Sequence, residues 1–201
     1  MLAYPLSRSD YPRRKIMTFY VFFTMLFNGG LVPSYIMWTQ IFHVKNTIFA
    51  LLFPTLLMNG FYIMILRSNF KSNIHPALIE AAKIDGAGEL LIYRKIVLPL
   101  SLPIMATIGL MIGIGYWNDW MNGLYYITDN HLYSLQQLLN NILSNIKALA
   151  SMSSSVTVTQ EMPSTGIRMA MAVIGVVPIM VLYPFFQKYF VKGIAIGGVK
   201  E

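Results

Sequence analysis

The sequence predicts an all-α membrane protein with about four transmembrane helices. Of its 201 residues, 56% are hydrophobic and only 11% are charged, whereas soluble domains carry about 25% charged residues. Four stretches without Asp, Glu, Lys or Arg measure 29, 21, 23 and 19 residues and lie between Lys15 and Lys45, Lys45 and Arg67, Lys95 and Asp119, and Arg168 and Lys188. Because a transmembrane helix needs roughly 20 mostly apolar residues, we predict spans at about 17–38, 47–66, 99–118 and 169–187.

The basic residues predict how these spans are oriented. Four spans place both termini and the segment 67–98 on one side of the membrane. That side holds 12 of the 15 Lys and Arg residues, four in 1–16, five in 67–98 and three in 188–201. Since Lys and Arg accumulate in cytoplasmic loops, we predict cytoplasmic termini, a cytoplasmic loop at 67–98 and an extracellular segment at 127–168.

The first predicted span contains residues that interrupt helices. Gly29, Gly30 and Pro33 follow one another closely, and such residues break or kink a helix. Two interpretations stay open. The break lines a transport pathway, or the helix ends near Asn28 and resumes as an interfacial segment carrying Trp38.

The second predicted span contains Pro54 and Asn59. The proline predicts a kink. The asparagine either lines a pathway or makes a hydrogen bond between helices, as amides do in membrane bundles.

The third predicted span carries small residues and ends in an aromatic cluster. Gly109, Gly113 and Gly115 permit close helix contact. The cluster fits an interfacial aromatic belt and comprises Trp117, Trp120, Tyr125 and Tyr126. Asn118 and Asp119 lie within it and either face a substrate path or anchor the interface.

The predicted extracellular segment contains an amphipathic helix. Ser134 suits its N-cap, and its apolar face has helical spacing and comprises Leu135, Leu138, Leu139, Ile142, Ile146 and Leu149. A polar stretch at 151–160 follows. Because this helix carries few basic residues, we expect it to pack over the outer mouth of the bundle rather than to anchor on lipid.

Several functional classes find no support in the sequence. There is no Gly-x-x-x-x-Gly-Lys-Ser/Thr phosphate loop and no cysteine, so neither nucleotide binding of that kind nor a thiolate metal site is expected. His43, His75 and His131 lie far apart, and no catalytic or metal set is apparent. The net charge of +7 fits cytoplasmic loops better than nucleic-acid binding. We expect a conduit component without enzymatic activity, metal or cofactor.

The charged segment 76–99 predicts two short helices that could meet a cytoplasmic partner. Pro76 suits the first turn of a helix. Leu78, Ala81, Ala82 and Asp85 share one face of it, where the two alanines would form a narrow ridge that docks in a groove. Gly86 is placed to end this helix in a left-handed conformation, a second helix begins near Glu89, and Pro99 marks entry to the next span. From these residues alone, a surface loop without a partner also stays open.

The same segment resembles a known loop. Glu80-Ala81-Ala82, three residues, Gly86, nine residues, Ile96, one residue, Leu98-Pro99 is similar to the EAA loop of bacterial binding-protein-dependent ABC importer permeases. Ala82-Lys-Ile-Asp-Gly-Ala, Trp117-Asn118 and the closing Gln187-Lys-Tyr-Phe-Val-Lys-Gly resemble the carbohydrate permeases of the MalG-like group, especially its LplC-like polysaccharide subgroup. The resemblance covers essentially the whole chain. Since such permeases usually have six spans, it implies two further spans upstream.

The resemblance implies a fold, a set of partners and site residues. The fold would be MetI-like, and the chain would lie in the bacterial plasma membrane beside a second permease subunit. ABC ATPase subunits would bind below, and an extracellular solute-binding lipoprotein would deliver a sugar. The residues implied to couple transport to the ATPase are Glu80, Ala81, Ala82, Asp85 and Gly86. In addition, the tail is expected to touch the ATPase.

The cargo path is less well marked by the sequence. Aromatic and amide side chains suit sugars, which nominates Tyr35, Asn59, Trp117, Asn118 and Asp119. Two alternatives remain open. The cargo could be another solute such as a peptide, an amino acid or an ion, or the chain could be a truncated subunit that does not transport.

Overall fold

The computed structural model describes residues 1–153 and 164–197, and every regular element in these ranges is helical. The helices are α1 (Ala3–Ser7), α2 (Arg14–Leu26), α3 (Leu31–Ile36), α4 (Ile48–Leu56), α5 (Gly60–Asn73), α6 (Pro76–Ile84), α7 (Glu89–Ile92), α8 (Leu98–Leu100), α9 (Leu102–Trp117), α10 (Met121–Tyr126), α11 (Leu135–Ser153) and α12 (Ser164–Gly197). Wider π-helical turns continue α3 over Met37–Ile41 and join α7 to α8 over Tyr93–Val97, and a 3₁₀ turn covers Asn130–Leu132.

The described helices can cross a membrane between one and four times, judged by length and composition. Thr165–Gln187, within α12, is long and apolar enough by itself. Three further spans are possible only if two helices separated by a short break count as one. These pairs are Arg14–Leu26 with Leu31–Ile41, Ile48–Leu56 with Gly60–Asn73, and Glu89–Leu100 with Leu102–Trp117. The arrangement of four spans therefore stays a prediction.

The first two predicted spans are both interrupted, but only in the first does the break coincide with the helix-breaking residues. In the first span α2 ends at Leu26 and α3 begins at Leu31, so the helix does end near Asn28 as one interpretation held. In the second span α4 passes through Pro54 and the break lies over residues 57–59. The helix therefore continues past Pro54, where the sequence predicts a kink, and the break follows near Met58, which has a positive φ of 21°.

The chain packs into two units. The first contains Met1–Gly30 and Leu56–Met111 with the end of α12. Its core brings α1, α5 and α7 together through the buried side chains of Tyr4, Phe70, Ile74, Ile92, Tyr93 and Val97. Tyr4 is the centre of this core, since its ring packs edge-on to Phe70 at 6.4 Å and against Tyr93 at 5.5 Å.

The second unit contains Leu31–Thr55 and Ile112–Phe185. One cluster of buried side chains comprises Trp38, Val44, Ala50, Tyr126 and Ile127. Trp38 and Tyr126 are 6% and 3% exposed. Both rings pack inside this unit, where their apolar area is removed from solvent; their position at a membrane interface stays a prediction.

The amphipathic helix α11 belongs to the second unit and is confirmed. Ser134 accepts a hydrogen bond from the Gln137 N–H at 3.2 Å and therefore caps the helix as predicted. Leu139 and Ile146 are buried against Met171. The predicted face is rotated slightly, since Leu138 is 47% exposed and Gln137 only 2%. Of the polar stretch 151–160, residues 154–160 lie outside the described residues.

The surface carries many large apolar side chains. On α2 they include Phe19 and Phe22, which are 67% and 47% exposed, and on α12 they include Met180 and Phe185, which are 65% and 62% exposed. Exposed apolar surface of this extent marks contact with lipid or with another protein. The glycines of α9 fit the same pattern. The predicted close contact at Gly109, Gly113 and Gly115 is not made within the described chain, because nothing lies within 4 Å of a Cβ built there.

Candidate functional site

The first helix of the loop, α6, begins where the sequence predicts. Pro76 occupies the first helical turn, where its missing N–H costs nothing and its fixed φ suits the helix. His75 precedes it with extended backbone, and its carbonyl accepts a hydrogen bond from the Leu78 N–H at 3.1 Å. The remaining sequence is rich in alanine and unbranched residues, which favour the helix.

The end of α6 is a Schellman motif. The Gly86 N–H donates to the Lys83 carbonyl at 3.0 Å, and the Ala87 N–H donates to the Ala82 carbonyl at 2.9 Å. This pair of bonds requires a left-handed residue at Gly86, and its φ is +80°. The predicted left-handed turn at Gly86 is confirmed. Ala82 and Ala87, the two residues joined by the second of these bonds, both pack against the core of the first unit.

The exposed face of α6 differs from the predicted ridge. Ala81 is exposed, whereas Ala82 is half-buried and packs with Ile79 against the core. Successive helical residues are about 100° apart, so the two alanines point to different sides and do not form one ridge. The exposed side of α6 instead carries Leu78, Ala81 and Ile84 at intervals of three residues, so each is a neighbour of the next; Leu78 and Ile84 are 47% and 87% exposed.

Two carboxylates lie on the exposed part of this helix. Glu80 and Asp85 are both exposed. Among the described residues, neither belongs to an ion pair, since every ion pair found there joins Arg8 or Lys83 to Asp10 or Glu89. The apolar patch of Leu78 and Ile84 therefore has acidic neighbours that remain available to a basic partner.

A network of four charged residues connects the amino-terminal segment to the loop. Arg8 is the centre, with its side chain only 12% exposed. It donates hydrogen bonds to Asp10 and Glu89 and, at 3.2 Å, to the Tyr4 hydroxyl. Lys83, on α6, lies 3.2 Å from Glu89 and 3.5 Å from Asp10. The network thus joins residues before α2 to both α6 and α7.

The titration of Asp10 reflects this network. Its pKa falls from 3.8 to about 2, chiefly because Arg8 hydrogen-bonds to its carboxylate. A lowered pKa in the folded state means that the stabilisation is complete above pH 3.8 and is lost as the pH falls towards about 2. The network is therefore intact throughout the neutral range.

The sequence interpretation did not identify this network. It counted Arg8 only as one of many basic residues, because its partners at Glu89 and Lys83 are distant in sequence. A further bond holds the same segment, since the Arg67 Nε–H on α5 donates to the Leu6 carbonyl at 3.0 Å. Alternating tyrosine, leucine and arginine at positions 4, 6 and 8 was the available signal, but it does not specify which elements they meet.

The second helix of the loop is confirmed with one difference. α7 begins at Glu89 as predicted, and its first turn is followed by the π-helical turn over Tyr93–Val97. Pro99, which the sequence predicts to mark entry to the next span, lies two residues before the break between α8 and α9. It sits near the start of the short helix α8, and the helical path stops at Ser101, which is 1% exposed.

Two of the cargo-path candidates make local contacts. The side chain of Asn59 accepts a hydrogen bond from the Tyr62 N–H at 3.3 Å and caps α5. Asn59 therefore caps α5 and is exposed; its part in a pathway stays a prediction. In the second unit, Tyr35 stacks on Tyr126 with ring centroids 5.9 Å apart.

The other three candidates follow one another at the end of α9. The Trp117 Nε1–H donates to the Gly175 carbonyl at 2.9 Å. Asp119 accepts from the backbone N–H and the side-chain amide of Asn122, at 3.0 and 2.6 Å. Asn118 is exposed. Trp117 and Asp119 thus have hydrogen-bond partners within the protein, and the cargo role of all three residues stays a prediction.

A family comparison explains the loop. The family described as "Binding-protein-dependent transport system inner membrane component" matches residues 1–196. The chain belongs to this family. As a family member it is a membrane-localised transport component, and the prediction of an all-α, MetI-like permease is confirmed.

Two proteins of Bacillus subtilis (strain 168) align with this chain along its length. The Polygalacturonan/rhamnogalacturonan transport system permease protein YtcP is 40% identical over 200 residues, covering 100% of this chain and 69% of the relative. Protein LplC is 38% identical over 201 residues, covering 99% and 66%. The chain therefore spans about two thirds of the length of these relatives.

A solved structure supports the same fold. The crystal structure of a bacterial ABC transporter involved in the import of the acidic polysaccharide alginate aligns with a TM-score of 0.76 and 29% sequence identity. The alignment covers 94% of this chain and 66% of that chain. The predicted resemblance to carbohydrate ABC permeases is thus confirmed by both sequence and structure.

Proposed function

We propose that the chain is one permease subunit of an ATP-driven importer for sugars or oligosaccharides. The observation that carries this proposal is the 40% identity, along the whole chain, to a permease named for polygalacturonan and rhamnogalacturonan. In this importer the chain pairs with a second permease subunit. ABC ATPase subunits bind the cytoplasmic face, and an extracellular solute-binding lipoprotein presents the cargo.

The loop supports coupling through α6. Its outward face combines apolar side chains, at Leu78 and Ile84, with a small one at Ala81. An exposed apolar helix face of this kind docks in a groove of a partner. Glu80 and Asp85 would meet basic groups of the ATPase. Ala82 has a different role, because it fixes α6 to the core of its own unit.

The motion of the ATPase would reach the permease through this attachment. Ala82 and Ala87 pack beside Ile92 and Val97, which are 1% and 0% exposed. Close-packed interiors transmit displacement rather than absorb it. A force on α6 therefore moves the first unit, and alternating access of the pathway follows from that movement.

Introduced cysteines test the partner and the orientation together. The chain contains no cysteine, so Ile84→Cys supplies a unique thiol at a side chain that is 87% exposed. In membranes of the assembled importer, a bifunctional thiol reagent should link Ile84→Cys to the ATPase. In intact cells a membrane-impermeant maleimide should not label it.

The matched control is His131→Cys, at an exposed residue of the predicted extracellular segment. It should be labelled from outside and should not be linked to the ATPase. Labelling of Ile84→Cys in intact cells would contradict the orientation. If Ile84→Cys is not linked to the ATPase in sealed, correctly oriented membranes, that result would contradict the coupling role of α6.

An uptake measurement tests the cargo class. Deletion of the gene for this chain should abolish uptake by the host of labelled oligosaccharides, either of galacturonate or of neutral sugars. Reintroduction of the gene should restore that uptake. A labelled dipeptide is the comparison solute. Loss of dipeptide uptake with unchanged sugar uptake would replace the sugar assignment by the alternative importer class.

A further inference from the structure

A basic groove lies between α2 and α5, away from the outward face of α6. Its volume is about 480 Å³. Four cationic side chains line it, and no acidic residue does; the four are Arg14, Lys15, Arg67 and Lys71. Both helices belong to the first unit, so the groove is formed within one packed body.

The charges of this groove have no acidic partner among the described residues. Every ion pair found there involves Arg8 or Lys83. Arg14 and Arg67 each donate to a backbone carbonyl, at 3.3 and 3.0 Å, which orients the guanidinium groups without neutralising them. Lys15 and Lys71 are exposed. The groove therefore presents uncompensated positive charge.

The groove changes from basic to apolar in the same direction along both helices. On α2 the lysine at 15 is followed by Phe19 and Phe22, and on α5 Lys71 is preceded by Arg67 and Met64. The spacing of seven residues on each helix corresponds to about 10 Å. Residues at intervals of three, four and seven share a helix face. The two faces thus form a basic end and an apolar end of one groove.

This gradient matches the boundary of a bilayer. The polar headgroup region adds about 5–8 Å to each side of the hydrocarbon core, which is comparable with the distance from the lysines to Phe22 and Met64. Thr18 lies between the two ends, and its Oγ1 is buried without a hydrogen-bond partner in the described chain. The Thr18 side chain lines the groove at the level where the glycerol region of a lipid would lie.

We propose that this groove binds an anionic phospholipid. The phosphate lies among the four cations, the glycerol region meets Thr18, and the acyl chains follow Phe22 and Met64 into the membrane. The apolar half distinguishes this ligand from a soluble phosphate, which would leave it uncovered. The bound lipid would brace α2 against α5, next to the segment that holds the coupling loop.

Native mass spectrometry of the purified full chain in detergent tests the proposal. The probes are palmitoyl-oleoyl phosphatidylglycerol, which is anionic, and phosphatidylcholine with the same acyl chains, which has no net charge. The wild type should bind phosphatidylglycerol more tightly. Lys15→Gln combined with Lys71→Gln should weaken that binding about 25-fold, since each basic residue near a headgroup contributes about fivefold. Lys15→Gln alone should weaken it about fivefold.

The control removes the same charge elsewhere. Arg94→Gln combined with Lys95→Gln changes two exposed cations outside the groove and should leave the lipid preference unchanged. Circular dichroism confirms that each variant is folded. Equal losses in both double variants would overturn the proposal in favour of diffuse charge attraction. Equal wild-type affinity for the two lipids, or displacement of phosphatidylglycerol by soluble glycerol phosphate, would also overturn it.

Discussion

Gly86→Ser is expected to reduce cargo uptake by the assembled importer about tenfold while leaving membrane insertion unchanged. The φ of +80° at this residue costs an L-residue about 1–2 kcal/mol. That strain shifts a conformational equilibrium by a factor of about 5–30. The Schellman bonds at the end of α6 would open, and the exposed helix would lose its fixed attachment to the core. Gly86→Val should be more severe, because a β-branched residue resists positive φ more strongly.

The control for this prediction lies two residues away. Gly88 has an ordinary φ of −71° and caps α7, a position that serine favours. A Cβ at either glycine meets nothing within 4 Å, so Gly86→Ser and Gly88→Ser differ in backbone strain and not in crowding. Gly88→Ser should therefore transport normally. Equal uptake by the two variants would show that the left-handed turn is not needed for coupling.

Arg8→Ala is expected to release the amino-terminal segment from the loop. The variant leaves Lys83 as the one remaining cation beside Asp10 and Glu89 among the described residues, and it removes the guanidinium from the Tyr4 ring, 5.6 Å away. Since both carboxylates are more than half exposed, solvent limits each pair to roughly 1 kcal/mol or less. The combined loss should be about 1–2 kcal/mol, which makes local opening about 5–30 times more frequent.

Amide hydrogen exchange over residues 2–8, followed by mass spectrometry, measures that opening. Arg13→Ala is the control, because Arg13 is exposed and belongs to none of the ion pairs found in the described chain. Arg8→Lys should give an intermediate result, since it keeps the charge but not the forked donors. Unchanged exchange in Arg8→Ala would mean that α1 is held by its apolar contacts alone.

Local patterns in the loop were sufficient to predict its backbone. Pro76 at the start of α6, Gly86 just beyond its end and Glu89 at the start of α7 each act through the conformation of their own residue or of its immediate neighbours. For that reason the sequence predicts them correctly. The same is true of Ser134, whose capping bond spans only three residues. The family resemblance of the EAA loop also depends on the order of residues alone.

Predictions that depended on which side of a helix meets the core were less accurate. Ala81 and Ala82 were assigned to one ridge, yet only Ala81 is exposed. The sequence placed Tyr126, and in one interpretation Trp38, at a membrane interface, but it did not predict that both rings are buried within the protein. The sequence left Asn59 between a pathway and a bridge, and it did not identify the cap that Asn59 forms on α5. Each outcome depends on neighbours far along the chain, which periodicity does not identify.

The sequence by itself determined the class of this protein, its family and the local geometry of the loop at 76–99, because long charge-free stretches and short-range turn signals act without distant partners. Only the tertiary structure decided what the loop is attached to. Arg8 meets Glu89 across 81 positions, and Arg67 meets the Leu6 carbonyl across 61. Such contacts form only when α1, α5 and α7 bury their apolar side chains together, and that packing converts an isolated motif into a loop fixed to a core.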